Sequence, residues 1–170
     1  MELAEFNALD TATAAETVGV WAAIPGWVDA VVAGRPYGSV DELAATAAAE
    51  AADWTRADLD TALAHHPRIG ERAMGSGAEA AASRREQSSM ATAAEAVARA
   101  IAAGNAAYEQ RFGRVFLIRA AGRTPDEMLT ELERRLDNDD GAETVEALDQ
   151  LAQIAVLRLR ATVTNERIPA

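Results

Sequence analysis

The stretch from Ala142 to Val163, AETVEALDQLAQIAVLRLRATV, decides the fold. Val145, Leu148, Leu151, Ile154, Ala155 and Leu159 recur at intervals of mostly three and four, the spacing that lines one face of an α-helix. The same spacing brings together Met128, Leu129, Leu132 and Leu136 in a helix predicted at 125–137. Outward from these two, helix-start signals recur. Ser39-Val40-Asp41-Glu42 has the form of a capping box, in which the serine caps and the glutamate reaches back to its amide. Thr92-Ala93-Ala94-Glu95 repeats the form, Thr124-Pro125-Asp126-Glu127 adds proline at the first helical position, and Thr55 with Asp58 is a weaker version. Breaks come at Pro25-Gly26, at the Gly34–Gly38 turn around Pro36, at Pro67, and at Gly70, Gly75 and Gly77. Helices are therefore predicted near 11–23, 26–33, 40–52, 56–65, 79–89, 93–111, 125–137 and 142–163.

One segment breaks the period. Val115-Phe116-Leu117-Ile118 is short, bulky and apolar, and lies between Gly113 and Gly122. With no second strand to pair with, it reads as extended chain crossing the core. The expected architecture is all-α: a single compact domain of about eight helices over residues 1–170.

Composition agrees. The 170 residues suffice for one domain with a core. Alanine, the best helix former, supplies about a quarter of them, and aromatics only 5%. There is no Cys, which removes disulfides, thiolate metal sites and Cys nucleophiles. All 16 basic residues are Arg, so a lysine Schiff base and a Walker-type phosphate loop are excluded. The two His are adjacent, which excludes a metal site built on several imidazoles. A net charge of −11 opposes nucleic acid and anionic membranes. No apolar run approaches the ~18 residues of a membrane span. MELAEFNALD lacks the basic and apolar regions of a signal peptide, and NERIPA is no recognised address, so the expected location is the cytoplasm.

Candidate chemistry starts with the scarce residues. His65 and His66 end a predicted helix just before Pro67. The negative end of a helix favours imidazolium, which suits a proton donor near neutral pH. It equally suits a histidine that merely bonds free carbonyls. The Gly-rich run from Arg68 to Ala78 fits either a cover over a site or an ordinary surface loop. Ser83, Glu86 and Gln87 share one helical face, which fits either a small polar ligand or another capping box. Arg158 stands beside the apolar stripe of the last helix, placed either to bind a carboxylate or to snorkel to the surface. Arg160, Arg134 and Arg135 read as solvated helix faces, while Arg111, Arg114 and Arg119 flank the apolar segment. Trp21, Trp27 and Trp54 read as packing anchors.

In order, these pieces resemble a known family. His66-Pro67-Arg68-Ile69-Gly70 is similar to an H-P-x-[IL]-G signature, and Ser83-x-x-Glu86-Gln87 follows at the expected interval. Asn105-Ala106-Ala107-Tyr108 with Arg111-Phe112-Gly113 is similar to N-x-x-Y-x-x-[RK]-F-G. Phe116-Leu117-Ile118, Arg134-Arg135-Leu136-x-Asn138, Glu143 and Ile154-Ala155-x-Leu157-Arg158-Leu159 complete the series, and Arg35-Pro36-Tyr37 resembles a further R-P-[FY] element. The resemblance, over roughly residues 6 to 162, is to the 2-oxo-4-hydroxy-4-carboxy-5-ureidoimidazoline (OHCU) decarboxylases of uric acid degradation.

It implies an all-α fold of its own type, a homodimer, no cofactor and no metal, and loss of CO2 from a small ureidoimidazoline to give (S)-allantoin. It makes His66 the catalytic proton donor and Glu86 the catalytic carboxyl that holds the hydroxyl or a ring nitrogen. Ser83 and Gln87 would bond the ureido and ring groups, with Pro67 lining the pocket. Phe116, Leu117, Ile118, Arg119 and Ala120 would supply backbone groups and an apolar wall. Arg158 would bind anionic or carbonyl oxygens, with Arg160 and Arg119 as competitors. Two departures stand out: Arg114-Val115 where the family often has an aromatic and proline, and Ile24-Pro25 where Cys-Pro is common. The competing expectations are a non-catalytic helical partner of purine-breakdown enzymes and a lyase or hydrolase for another small ureido acid.

Overall fold

A computed structural model describes residues 1–64, 68–69 and 95–165. Among them are eight α-helices: α1 (Leu3–Ala8), α2 (Thr11–Trp21), α3 (Pro25–Ala33), α4 (Val40–Ala51), α5 (Arg56–Leu63), α6 (Glu95–Phe112), α7 (Pro125–Arg135) and α8 (Asp140–Thr162). None is long and apolar enough to cross a membrane. The predicted helix at 79–89 lies outside the described residues. The contacts cluster into two compact units, Met1–Asp58 with Ala152–Ala170, and Leu59–Leu151.

Local signals set most helix starts. Thr124 Oγ1 accepts from the Glu127 amide at 3.3 Å while Glu127 Oε2 accepts from the Thr124 amide at 2.7 Å, a complete capping box. Ser39 Oγ accepts from the Glu42 amide at 3.0 Å, but Glu42 reaches one residue further back than expected, to the Gly38 amide at 2.6 Å. Thr55 and Asp58 exchange the same pair of bonds at 2.8 and 3.4 Å. Pro25 does not simply end α2: it occupies the first position of α3, where its missing N–H costs nothing. Helix α1 is an addition to the predicted set. Its six residues bury Leu3 and Phe6, and the amides of Leu3 and Thr164 bond the carbonyls of Thr164 and Met1.

In the first unit, Phe6 packs on Trp21 in a tilted arrangement at 5.6 Å, and Trp27 meets Trp54 edge-on at 5.5 Å. Trp27 Nε1 donates to the Ala47 carbonyl at 2.9 Å, tying α3 to α4. All three tryptophans are buried, as packing anchors should be. Arg35-Pro36-Tyr37, with a cis Arg35–Pro36 bond, staples α1 to the turn before α4. Arg35 Nη1 donates to the carbonyls of Phe6 and Leu9 at 3.0 and 2.7 Å, and Asn7 bonds both the amide and the carbonyl of Tyr37.

The second unit packs α6 on α7 around Ile101, Tyr108, Phe112, Met128 and Leu132. Gly104 permits the close approach. A Cβ built on it falls 2.5 Å from Leu132 Cδ2 and 3.1 Å from Cγ, and Leu132 is fully buried with nowhere to swing.

The long helix α8 corrects one expectation. Leu151, Ile154, Ala155 and Leu159 face inward as predicted, but Val145 is 69% exposed. The inward positions of the first turns are Glu143, Ala147 and Gln150, so polar residues occupy the core-facing stripe that hydropathy assigned to Val145.

These contacts predict that Gly104→Ala lowers the urea midpoint of unfolding. Alanine gains up to ~1 kcal/mol of helix propensity, but overpacking a closed contact costs ~1–3 kcal/mol.

Candidate active site

The described part of the candidate site starts from one face of α6. Asn105, Tyr108 and Phe112 recur at three and four residues and are all buried, with Glu109 beside them at the edge. Asn105 Nδ2 donates to the Ile69 carbonyl at 2.9 Å. One turn on, Glu109 receives the Arg68 guanidinium on both oxygens, the Nη2–Oε2 contact being 2.8 Å. That guanidinium holds the Glu109 carboxyl below its ordinary value. Ile69 joins the core cluster with Ile101 and Phe112. Two residues of the His66-Pro67-Arg68-Ile69-Gly70 motif are thus fastened to the Asn105-x-x-Tyr108 motif.

The segment after α6 carries no regular secondary structure from Arg114 to Ala120, as the sequence predicts. Its ends are left-handed glycines, Gly113 at φ +69° and Gly122 at φ +81°, conformations that side chains with a Cβ resist. Phe116, Leu117, Ile118 and Ala120 are buried, while Val115 and Arg119 are half-buried. Non-helical backbone in an interior needs partners for its polar groups. Side chains supply them: Arg135 Nη1 donates to the Leu117 carbonyl at 2.7 Å, and Gln150 Oε1 accepts from the Arg119 amide at 3.0 Å. The Arg119 guanidinium bonds the Ala121 carbonyl at 2.9 Å, and the Arg123 amide closes the turn on the Ala120 carbonyl at 3.1 Å.

Arg135 corrects the solvated-face reading. It is 1% exposed and pairs with Glu143, which is 0% exposed. Its position on α7, three residues after Leu132 and seven after Met128, puts it on the core face; that spacing was the available signal. The carboxylate of Glu143 also accepts from Tyr108 Oη and, at 2.8 Å, from Asn138 Nδ2. The Arg135 guanidinium lies 4.7 Å above the Phe116 ring. Burial first, and the bond donated to Glu143 second, push the Tyr108 phenol far above its ordinary value, so it remains a donor at working pH.

The remaining arginines divide. Arg114 is buried, and its Nη2 reaches two residues of α8, Asp140 Oδ1 at 3.2 Å and Thr144 Oγ1 at 3.0 Å. Arg134 and Arg160 are surface residues as predicted, paired with Glu131 and Glu146, and with Asp41. Arg158 is buried, not snorkelling: its Nη1 donates to the carbonyls of Val20 and Trp21 at 3.2 and 3.5 Å, at the end of α2. Of the other expected site residues, His66, Pro67, Ser83, Glu86 and Gln87 lie outside the described residues. Asn105, Glu109, Arg135, Glu143 and Gln150 are the residues that the site reading did not single out. Three of them stand in the motifs that carry the resemblance; Glu109 and Gln150 had no signal beyond polarity on a helix.

Comparison with known proteins gives a consistent result. A family model described as OHCU decarboxylase matches residues 7–160. A 2-oxo-4-hydroxy-4-carboxy-5-ureidoimidazoline decarboxylase of Haloferax volcanii is 29% identical over 168 residues, covering 98% of each chain. One of Amia calva is 30% identical over 169 residues, covering 94% of this chain and 93% of that one. The crystal structure of an OHCU decarboxylase in the presence of (S)-allantoin has a TM-score of 0.72 at 26% identity, over 85% of this chain and 94% of the other. The fold is that of an all-α lyase. The chain belongs to the OHCU decarboxylase family, a family of carboxy-lyases.

Removing one partner of the inner ion pair, as in Glu143→Leu, leaves a buried guanidinium uncompensated. The expected loss is about 3–5 kcal/mol of unfolding free energy, measured by urea titration followed by far-UV circular dichroism.

Proposed function

We propose that the protein decarboxylates 2-oxo-4-hydroxy-4-carboxy-5-ureidoimidazoline to (S)-allantoin without a cofactor, with His66 delivering the stereochemically decisive proton. The observation that carries the reading is the presence of His66-Pro67 and Ser83-x-x-Glu86-Gln87 in one chain of this family. Support also comes from the clasp on Arg68 and Ile69, which holds the chain directly after His66-Pro67.

Decarboxylation needs somewhere for an electron pair to go, and this substrate carries its own acceptor. An imine carbon adjoins the carbon bearing the carboxylate. As the bond to CO2 breaks, its pair forms a C=C bond, and the C=N pair moves onto nitrogen, which takes up a proton. The resulting enol loses its hydroxyl proton as the neighbouring ring carbon gains one. Delivery of that proton to one face fixes the S configuration. The protein therefore has to orient the ring, stabilise charge and donate a proton, which needs neither lysine nor metal.

Glu86 holds the hydroxyl or a ring nitrogen in register, and Ser83 and Gln87 bond the ureido and ring groups. Pro67 lines the pocket. The segment Phe116, Leu117, Ile118, Arg119 and Ala120 supplies backbone donors and acceptors with an apolar wall. Arg158 provides a desolvated cation for anionic or carbonyl oxygens. The protein acts as a homodimer in the cytoplasm.

The substrate is generated in situ from urate by the two preceding enzymatic steps, and allantoin is followed by circular dichroism. Rapid appearance of one enantiomer is expected with the protein; slow racemic formation unchanged by its addition overturns the proposal. His66→Ala is expected to stay folded and lose most of the rate. Glu86→Ala is expected to lose ~10²-fold or more, as for an orienting or acid–base group.

A further inference from the structure

We propose that Asn105 and Glu109 are positioning residues for His66: they fasten the chain at Ile69 and Arg68 and thereby aim the imidazole at one face of the enol. The inference rests on the role given to His66 above. The two side chains stand four residues apart on α6 and share a face. They grip successive residues by different means, a buried neutral hydrogen bond at the Ile69 carbonyl and a two-pronged ion pair at the Arg68 guanidinium. The Ile69 side chain adds a third hold by entering the core. Upstream, Ala62 and Leu63 are buried, and the Ala64 amide bonds the Asp60 carbonyl at 3.1 Å. The described residues on either side of residues 65–67 are therefore held in place. Covalent geometry alone keeps the Cα of His66 within about 11 Å of that of Ile69.

Packing alone does not explain Asn105. It is 4% exposed, and its Oδ1 has no partner among the described residues. A leucine of similar size fills the same volume with no polar atom to satisfy, but leaves the Ile69 carbonyl without this donor. The amide is accounted for by its Nδ2 bond to Ile69, the residue three places after the proton donor.

The test uses Asn105→Leu, which keeps volume and removes the donor, and Glu109→Ala and Glu109→Gln at the rim of the helix. Steady-state kinetics and the enantiomer ratio of the allantoin formed are measured well below the unfolding temperature, with His66→Ala in parallel. A misaimed donor lowers kcat, by about 10- to 100-fold for a displacement near 1 Å, with KM little changed. It also lets water protonate the exposed face, so enantiomeric purity falls. Glu109→Gln, which keeps a hydrogen bond to Arg68, recovers part of the loss seen in Glu109→Ala. A purely structural role lowers the melting temperature and leaves kcat and the enantiomer ratio at wild-type values, and that result overturns the positioning role. If Asn105→Leu does not fold, the Glu109 pair decides by the same readouts. Full activity in His66→Ala overturns the reading of His66 itself; inactive His66→Ala beside wild-type Asn105 and Glu109 variants overturns only the positioning.

Discussion

The buried pair of Arg135 and Glu143 is the constraint on which the Leu59–Leu151 unit turns. Two charges in an interior forfeit several kcal/mol of hydration each, and a pair by itself seldom recovers this. The losses are offset by a full set of bonds: Glu143 accepts from Tyr108, Arg135 and Asn138, and Arg135 donates onward to the Leu117 carbonyl. Two leucines in their place would pack well but leave that carbonyl without a donor. The pair thus makes it possible for a non-helical segment to lie inside an all-α protein.

That segment matters because helices are self-sufficient. Inside a helix each N–H and C=O already has a partner four residues away, so helical backbone has little to give a ligand. Groups free to meet a small polar ring must come from helix ends or from irregular chain. The run from Arg114 to Ala120 is such chain. Gln150 and Arg135 each occupy one of its backbone groups, and its Phe116 packs edge-on against Tyr108 at 5.1 Å.

The legible parts of the sequence were those with short-range causes. Thr124, Ser39 and the Thr55–Asp58 pair mark helix starts because capping is settled within four residues. The extended reading of Val115–Ile118 followed from the want of a second strand. What escaped depended on distant residues. Helix α1 is under two turns long, and its N-terminus is held by Thr162 and Thr164 rather than by propensity. Val145 and Arg135 were misread for one shared reason. Hydropathy places apolar residues inside and charged ones outside, whereas Glu143, Gln150 and Arg135 take inward positions and pay their way through hydrogen bonds. Their helical spacing already marked those positions; only the identity of the partners was hidden. For the site, the resemblance named the segment after α6, but nothing local to Asn105 or Glu109 revealed that they grip residues 36 and 41 positions away.

The placement of the three tryptophans has a spectroscopic consequence. Trp21, Trp27 and Trp54 all belong to the Met1–Asp58 portion, whereas the Leu59–Leu151 unit, with the clasp and the pinned segment, has tyrosine and phenylalanine as its aromatic side chains. Indole emission is therefore an optical reporter of one unit alone. A tryptophan introduced beside Phe116 would give the other unit its own signal and let the two be followed separately in the same cuvette.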